Sequence, residues 1–166
     1  GDPVGEQEHA FRRQATLAVE LGKPLVVHAR RAERLCMQVL RDIVPPQHPV
    51  HIHCYSDSLE HALELCDGWE NLRIGFTGAV TFKPAKGAGR ADREGPGHEV
   101  LLKGIPLERL LLETDGPYMC PSPFRGQTAH PGHVHRVAER ISEVKGVPLA
   151  AVMAATRESC RVVYGI

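Results

Sequence analysis

The strongest constraint on this chain is an alternation: short apolar runs rich in β-branched residues, each followed by a stretch with helical periodicity. The runs are Leu25-Val26-Val27-His28, Val50 to Tyr55, Leu72 to Thr77 and Leu110 to Glu113. Ahead of the first, Ala10, Phe11, Ala15, Ala18 and Leu21 share one helical face, with Gly22 as the stop. Leu35, Val39 and Ile43 predict a second helix that Pro45-Pro46 ends, and Leu59, Ala62, Leu63 and Cys66 a third before Gly68. A short helix over 99–103, one carrying Val134, Val137, Ile141 and Val144, and a last one with Pro148 in its first turn complete the pattern. Runs this apolar suit strands buried on both faces, as in a parallel sheet, and the alternation gives right-handed βαβ units. The predicted fold class is therefore α/β, with about four parallel strands and flanking helices. Such a sheet is either open and doubly wound or part of a (β/α)₈ barrel. A whole barrel takes about 250 residues, and this chain has 166.

Each run ends in a residue that a buried strand would not normally choose: VVHAR, HIHCYS and LLLETDGPY. The carboxyl ends of parallel strands converge on one crevice, so His28, His53 and Asp115 are expected to meet there despite their distance in sequence. Two imidazoles and a carboxylate form a ligand set for a divalent ion, with zinc, manganese and magnesium all compatible. His51 and His53 lie on one strand face about 6–7 Å apart, and His51 is read as a rim or core histidine.

Composition removes other classes. Lys plus Arg and Asp plus Glu number 20 each, so no whole-chain field steers the protein to nucleic acid or to a membrane surface. No apolar stretch approaches the ~18 residues of a membrane span, so a membrane partner is not expected. Five cysteines without a CxxC pair fit reduced thiols rather than a disulfide framework or a zinc knot. The amino terminus lacks a basic segment and an apolar core, so nothing marks a secretory signal. The expected compartment is intracellular, cytoplasm or nucleus.

These blocks carry a resemblance. A QxxxFxxQxxLA-like helix (Phe11, Gln14, Leu17 and Ala18 fit; Glu8 departs) precedes PLVVHAR at 24–30, HCYSDS at 53–58 and GFTGAVTF at 75–82. IPLERLLLETDGPYMCP at 105–121, RGQTAHPGHV at 125–134 and the terminal ATRESCRVVYGI follow in order. The chain resembles the TatD family of metal-dependent deoxyribonucleases, within the amidohydrolase-like hydrolases. The resemblance implies a TIM-type (β/α)₈ fold with one or two divalent ions (Mg, Mn or Zn) at the barrel's C-terminal face. It also implies hydrolysis of DNA phosphodiesters, often as a 3′–5′ exonuclease. By the same resemblance His28, His53 and Asp115 match metal ligands, and Glu113 and Asp115 match catalytic acidic positions.

Departures accompany the matches. The family's opening HxH strand and its later GExGLD-like strand, whose glutamate bridges two ions, have no counterpart here. The resemblance thus implies that residues 1–166 form a partial barrel domain lacking the N-terminal strands. The chain also has no initiator methionine, so a processed chain or a fragment is expected. Asp57 stands where glycine is usual, Ala129-His130 where Asn-Glu is common, and Ser159 where asparagine is frequent. Roughly half of the usual ligands being absent, weak metal binding and little nuclease activity are expected of this polypeptide alone. Phosphate contacts are expected from Arg30 and Arg125, with Lys83, Lys86, Arg90 and Arg93 on a loop beside them, and base stacking from Tyr55, Tyr118 and Phe124. Competing expectations are hydrolysis of a cyclic amide or lactone, and a non-catalytic half-barrel that self-associates through uncovered sheet edges.

Overall fold

A computed structural model describes residues 3–82 and 97–166. Helix α1 (Pro3–Glu20) leads into β1 (Leu25–Val27), α2 (Glu33–Ile43), β2 (Val50–Ile52), α3 (Leu59–Gly68) and β3 (Leu72–Phe76). After a 3₁₀ turn at Gly78–Thr81 come α4 (His98–Gly104), β4 (Leu110–Leu112), α5 (Val134–Lys145) and α6 (Leu149–Tyr164). The four strands lie side by side in the order β1-β2-β3-β4, all parallel. Strand order that follows chain order is what repeated right-handed βαβ units produce.

Register sorts the residues onto two faces. Val27 pairs with Ile52, and Ile52 with Ile74; these side chains are buried with Leu40, Leu65, Leu72, Phe76, Leu101, Leu102, Leu110 and Ile141 in one core. The core also takes the single tryptophan, whose ring N–H donates to the Val44 carbonyl at 3.0 Å, so no polar atom of that side chain is stranded. On the other face Val26, His51 and Arg73 lie in one row, and Gly75 and Leu111 in another. Helix α6 packs along β3 and β4 and brings Tyr164 to His51.

Strand β1 corrects the expectation of burial on both faces. Val26 is 53% exposed while Leu25 and Val27 are buried. The cause is cover: none of the described elements lies over Val26, whereas α6 packs on the other edge strand, β4, where Leu111 is buried. Pro148 likewise stands one residue ahead of α6, with extended ψ, instead of in its first turn. Lys83, Lys86, Arg90 and Arg93 lie outside the described residues. No helix among the described residues is long and apolar enough to cross a membrane.

Candidate metal centre at the ends of the strands

Strand β2 ends in a controlled break. The His53 N–H still donates to the Val27 carbonyl at 2.8 Å, so His53 is held in line with the sheet. Cys54 then turns to φ 51°, in the left-handed region that non-glycine residues rarely adopt. Tyr55 returns to the sheet by donating to Gly75 O at 3.0 Å, and its side chain is buried with its hydroxyl on Ser58 O. Tyr55 is therefore a core residue, against its expected role as a stacking platform. Burial pushes its phenol pKa far up, so it stays protonated.

The turn at Cys54 aims its N–H at Glu113. Glu113 is positioned by its own N–H, which donates to Phe76 O at 3.1 Å and extends β4 past its last assigned residue. Its Oε1 accepts from Cys54 N at 2.6 Å, and its Oε2 lies 2.6 Å from His53 Nδ1. His51 Nε2 comes within 3.1 Å of the same Oε2, at an angle short of a hydrogen bond. Burial alone raises the carboxyl pKa of Glu113. Contact with His51 and the donors from His53 and Cys54 outweigh that effect and hold the group below the ordinary carboxylate value. Gly75 makes the arrangement possible: a Cβ there would sit 2.3 Å from His51 Nε2 and 2.4 Å from Glu113 Oε1.

These contacts assign protons. An ionised carboxylate only accepts, so His53 donates from Nδ1, and in the neutral imidazole that a metal ligand requires its Nε2 carries the lone pair. That nitrogen faces Asp115 Oδ1 at 3.6 Å. Two acceptors pointing at one another across that gap leave room for a cation bound by both. His53 is partly exposed and the Asp115 side chain 41% exposed, so the gap is open to solvent. Among the described residues, two triads place their ligand atoms within 4.8 Å of one another: His53, Cys54 and Asp115, and His51, His53 and Glu113. The donor set fits a divalent ion on the Asp115 side of His53.

The other expected residues are distributed unevenly. His28 is exposed, with its ring centroid 5.5 Å from that of His53, and belongs to neither tight triad. Arg30 is exposed at the end of β1. Arg125 is exposed with its guanidinium 3.6 Å above the Phe82 ring, a cation stacked on an aromatic face. Tyr118 is 73% exposed, whereas Phe124 stacks on His133. Glu113, expected as an acid acting at the reacting atoms, has both oxygens engaged by protein donors and is 11% exposed at its side chain. Its surroundings suit a group that orients His53. His51, Cys54, Gly75 and Tyr164 were not expected at the site. For His51 the signal was in the sequence, as an HxH pair on the same face as His53.

Comparisons with known proteins give the family of the chain. The sequence matches the family described as TatD related DNase over residues 2–165. It is 36% identical over 99% of its length to a human protein named 3'-5' RNA nuclease TATDN2, of which it covers 21%. It is 34% identical to the uncharacterized metal-dependent hydrolase YabD of Bacillus subtilis, over 99% of this chain and 60% of that one. The crystal structure of YJJV, a TatD homolog from Escherichia coli, superposes on 100% of the chain with a TM-score of 0.78 at 25% identity, and the chain covers 60% of it. An uncharacterized amidohydrolase of Saccharomyces cerevisiae shares the fold, with a TM-score of 0.75 at 20% identity over 94% of this chain and 59% of that one. The chain thus spans between about a fifth and three fifths of the length of these relatives. It belongs to the TatD family of metal-dependent hydrolases.

Proposed function

We propose that this chain carries part of a divalent-metal phosphodiesterase site acting on nucleic acid, with DNA cleaved from the 3′ end. In this reading residues 1–166 form the second half of a (β/α)₈ barrel, with its C-terminal face at His28, His53 and Asp115. The observation that carries the proposal is the His53 Nε2 to Asp115 Oδ1 gap of 3.6 Å, two acceptors open to solvent at the ends of parallel strands. His53 and Asp115 hold the ion, and His28 joins them from β1. Magnesium, manganese and zinc all suit two imidazoles and a carboxylate. Such an ion, when bound, polarises a phosphate and lowers the pKa of water.

The protein's own groups have separate tasks. Glu113 keeps the Nε2 lone pair of His53 directed at the site. Asp115, half exposed, is the carboxylate within reach of an attacking water's proton. Arg30 and Arg125 provide phosphate contacts at the rim, and Arg125 on Phe82 presents its plane for a bidentate contact. With three side chains contributing, metal binding by this chain is weak and turnover slow.

The test offers the chain and its Asp115→Ala variant Mn²⁺ with end-labelled single-stranded DNA and RNA of one sequence. Slow Mn²⁺-dependent shortening from the 3′ end, absent in the variant, is expected. The DNA and RNA arms decide the sugar preference, which matters because the human relative is named an RNA nuclease. Hydrolysis of a cyclic amide or lactone with neither nucleic acid cleaved would overturn the nuclease reading.

A further inference from the structure

The chain of polar contacts at the site continues past Glu113, through His51, to the far end of α6. His51 Nδ1 lies 2.6 Å from the hydroxyl of Tyr164, the last residue of that helix. Tyr164 and His51 are 113 positions apart in sequence, and their rings meet edge to face with centroids 6.1 Å apart. His51 is buried, and among the described residues its other nitrogen faces the Glu113 carboxylate at 3.1 Å. A lone pair on Nε2 would oppose that anion, so in the neutral imidazole the proton sits on Nε2 and Nδ1 accepts from the Tyr164 hydroxyl. Burial and the nearby Glu113 charge raise the pKa of Tyr164, in keeping with a phenol that stays protonated and donates.

We infer that His51 and Tyr164 are positioning residues for the metal centre: the Tyr164 hydroxyl fixes the His51 tautomer, His51 anchors Glu113, and Glu113 orients His53. Every proton in the chain Tyr164, His51, Glu113, His53 then has one place. Donation runs from Tyr164 to His51 and from His53 to Glu113, and the Nε2–H of His51 faces Glu113 Oε2 at 3.1 Å. The one nitrogen left with an outward lone pair is His53 Nε2, on the Asp115 side. The inner triad of His51, His53 and Glu113 is in this account a set of donors around one carboxylate, and no ion occupies it. Without the Tyr164 hydroxyl, the proton of His51 is free to move to Nδ1, and Glu113 loses one of the groups that hold it.

This inference rests on the metal reading above, and its test separates the two. Imidazole nitrogen NMR on the metal-free chain reads the tautomers directly, and Zn²⁺ titration reads the site. In the unmodified chain His51 is expected to carry its proton on Nε2 and His53 on Nδ1. Tyr164→Phe keeps the ring packing, so an unchanged melting temperature is expected alongside a mixed His51 tautomer. Its Zn²⁺ affinity should be lower by about tenfold, the size seen when a ligand's hydrogen-bond partner is disturbed. His51→Leu should lose at least as much, and His51→Gln, which returns an N–H toward Glu113, should recover most of it. Wild-type tautomers together with wild-type Zn²⁺ affinity in Tyr164→Phe would overturn the inference. Loss of the His53 Nδ1 proton on adding Zn²⁺ would also overturn it, because the ion would then lie on the Glu113 side. Correct tautomers with no Zn²⁺ binding by any form would leave the proton chain standing and remove the metal reading.

Discussion

Strands β1 and β2 are neighbours, and each ends in a histidine that the sequence marks in the same way, yet the two histidines live in different chemistry. His53 is locked: its backbone donates to Val27 O, its Nδ1 to Glu113, and Glu113 is itself held by Cys54 N–H and faced by His51. His28 is exposed, and its described neighbour is the ring of His53 at 5.5 Å. The difference comes from cover. Tyr164 of α6 lies against His51 on the second face of β2, and that face carries a buried carboxylate, while Val26 on the second face of β1 is exposed. A strand-end histidine becomes a pre-oriented ligand when the strand beyond it supplies the group that fixes its tautomer.

The most severe way to break this contrast is Glu113→Ala. It strands the Nδ1–H of His53 and the Cys54 N–H and leaves His51 Nε2 facing no anion. An unfolding free energy lower by about 3 kcal/mol is expected from denaturant titration, together with a metal affinity lower by about 10–100-fold. Gly75→Ala attacks the same half from below, since the new methyl would overlap His51 Nε2 and the Glu113 carboxylate. About 1–3 kcal/mol of stability should be lost, and the His53 resonances should shift even though His53 is untouched.

The exposed half should behave otherwise. His28→Ala removes a ligand that nothing holds in place, so metal affinity should fall by less than in Glu113→Ala, with stability changed by no more than about 0.5 kcal/mol. Val26→Thr, on the same open edge, should change neither metal affinity nor stability beyond about 0.5 kcal/mol. A large loss of stability in either variant would show that β1 is covered in solution by something outside the described elements, and would erase the contrast.

What the sequence made legible follows the same division. Apolar runs and their polar ends were enough to locate the four strands and to bring His28, His53 and Asp115 to one end of one sheet, because strand ends need only local pattern and the parallel rule. The exposure of Val26 was not legible, because an apolar run carries no mark of whether both faces of its strand are covered. The engagement of Glu113 depends on the register that sets Gly75 beside Leu111 and on the left-handed turn at Cys54, and neither leaves a local signature. Tyr55 read as a stacking platform at the crevice because the break at Cys54, which turns its ring into the core, leaves no local mark. Tyr164 was out of reach altogether, since its partner lies 113 positions away.

The central claim is that His53 Nε2 and Asp115 together hold a divalent ion. Calorimetric titration of Mn²⁺ into the chain and into Asp115→Asn tests it, with the melting temperature of each metal-free form as the control. The account predicts weak binding of Mn²⁺ by the unmodified chain, loss of that binding in Asp115→Asn, and matching melting temperatures, because the Asp115 side chain is 41% exposed. Equal Mn²⁺ binding by both forms would contradict it.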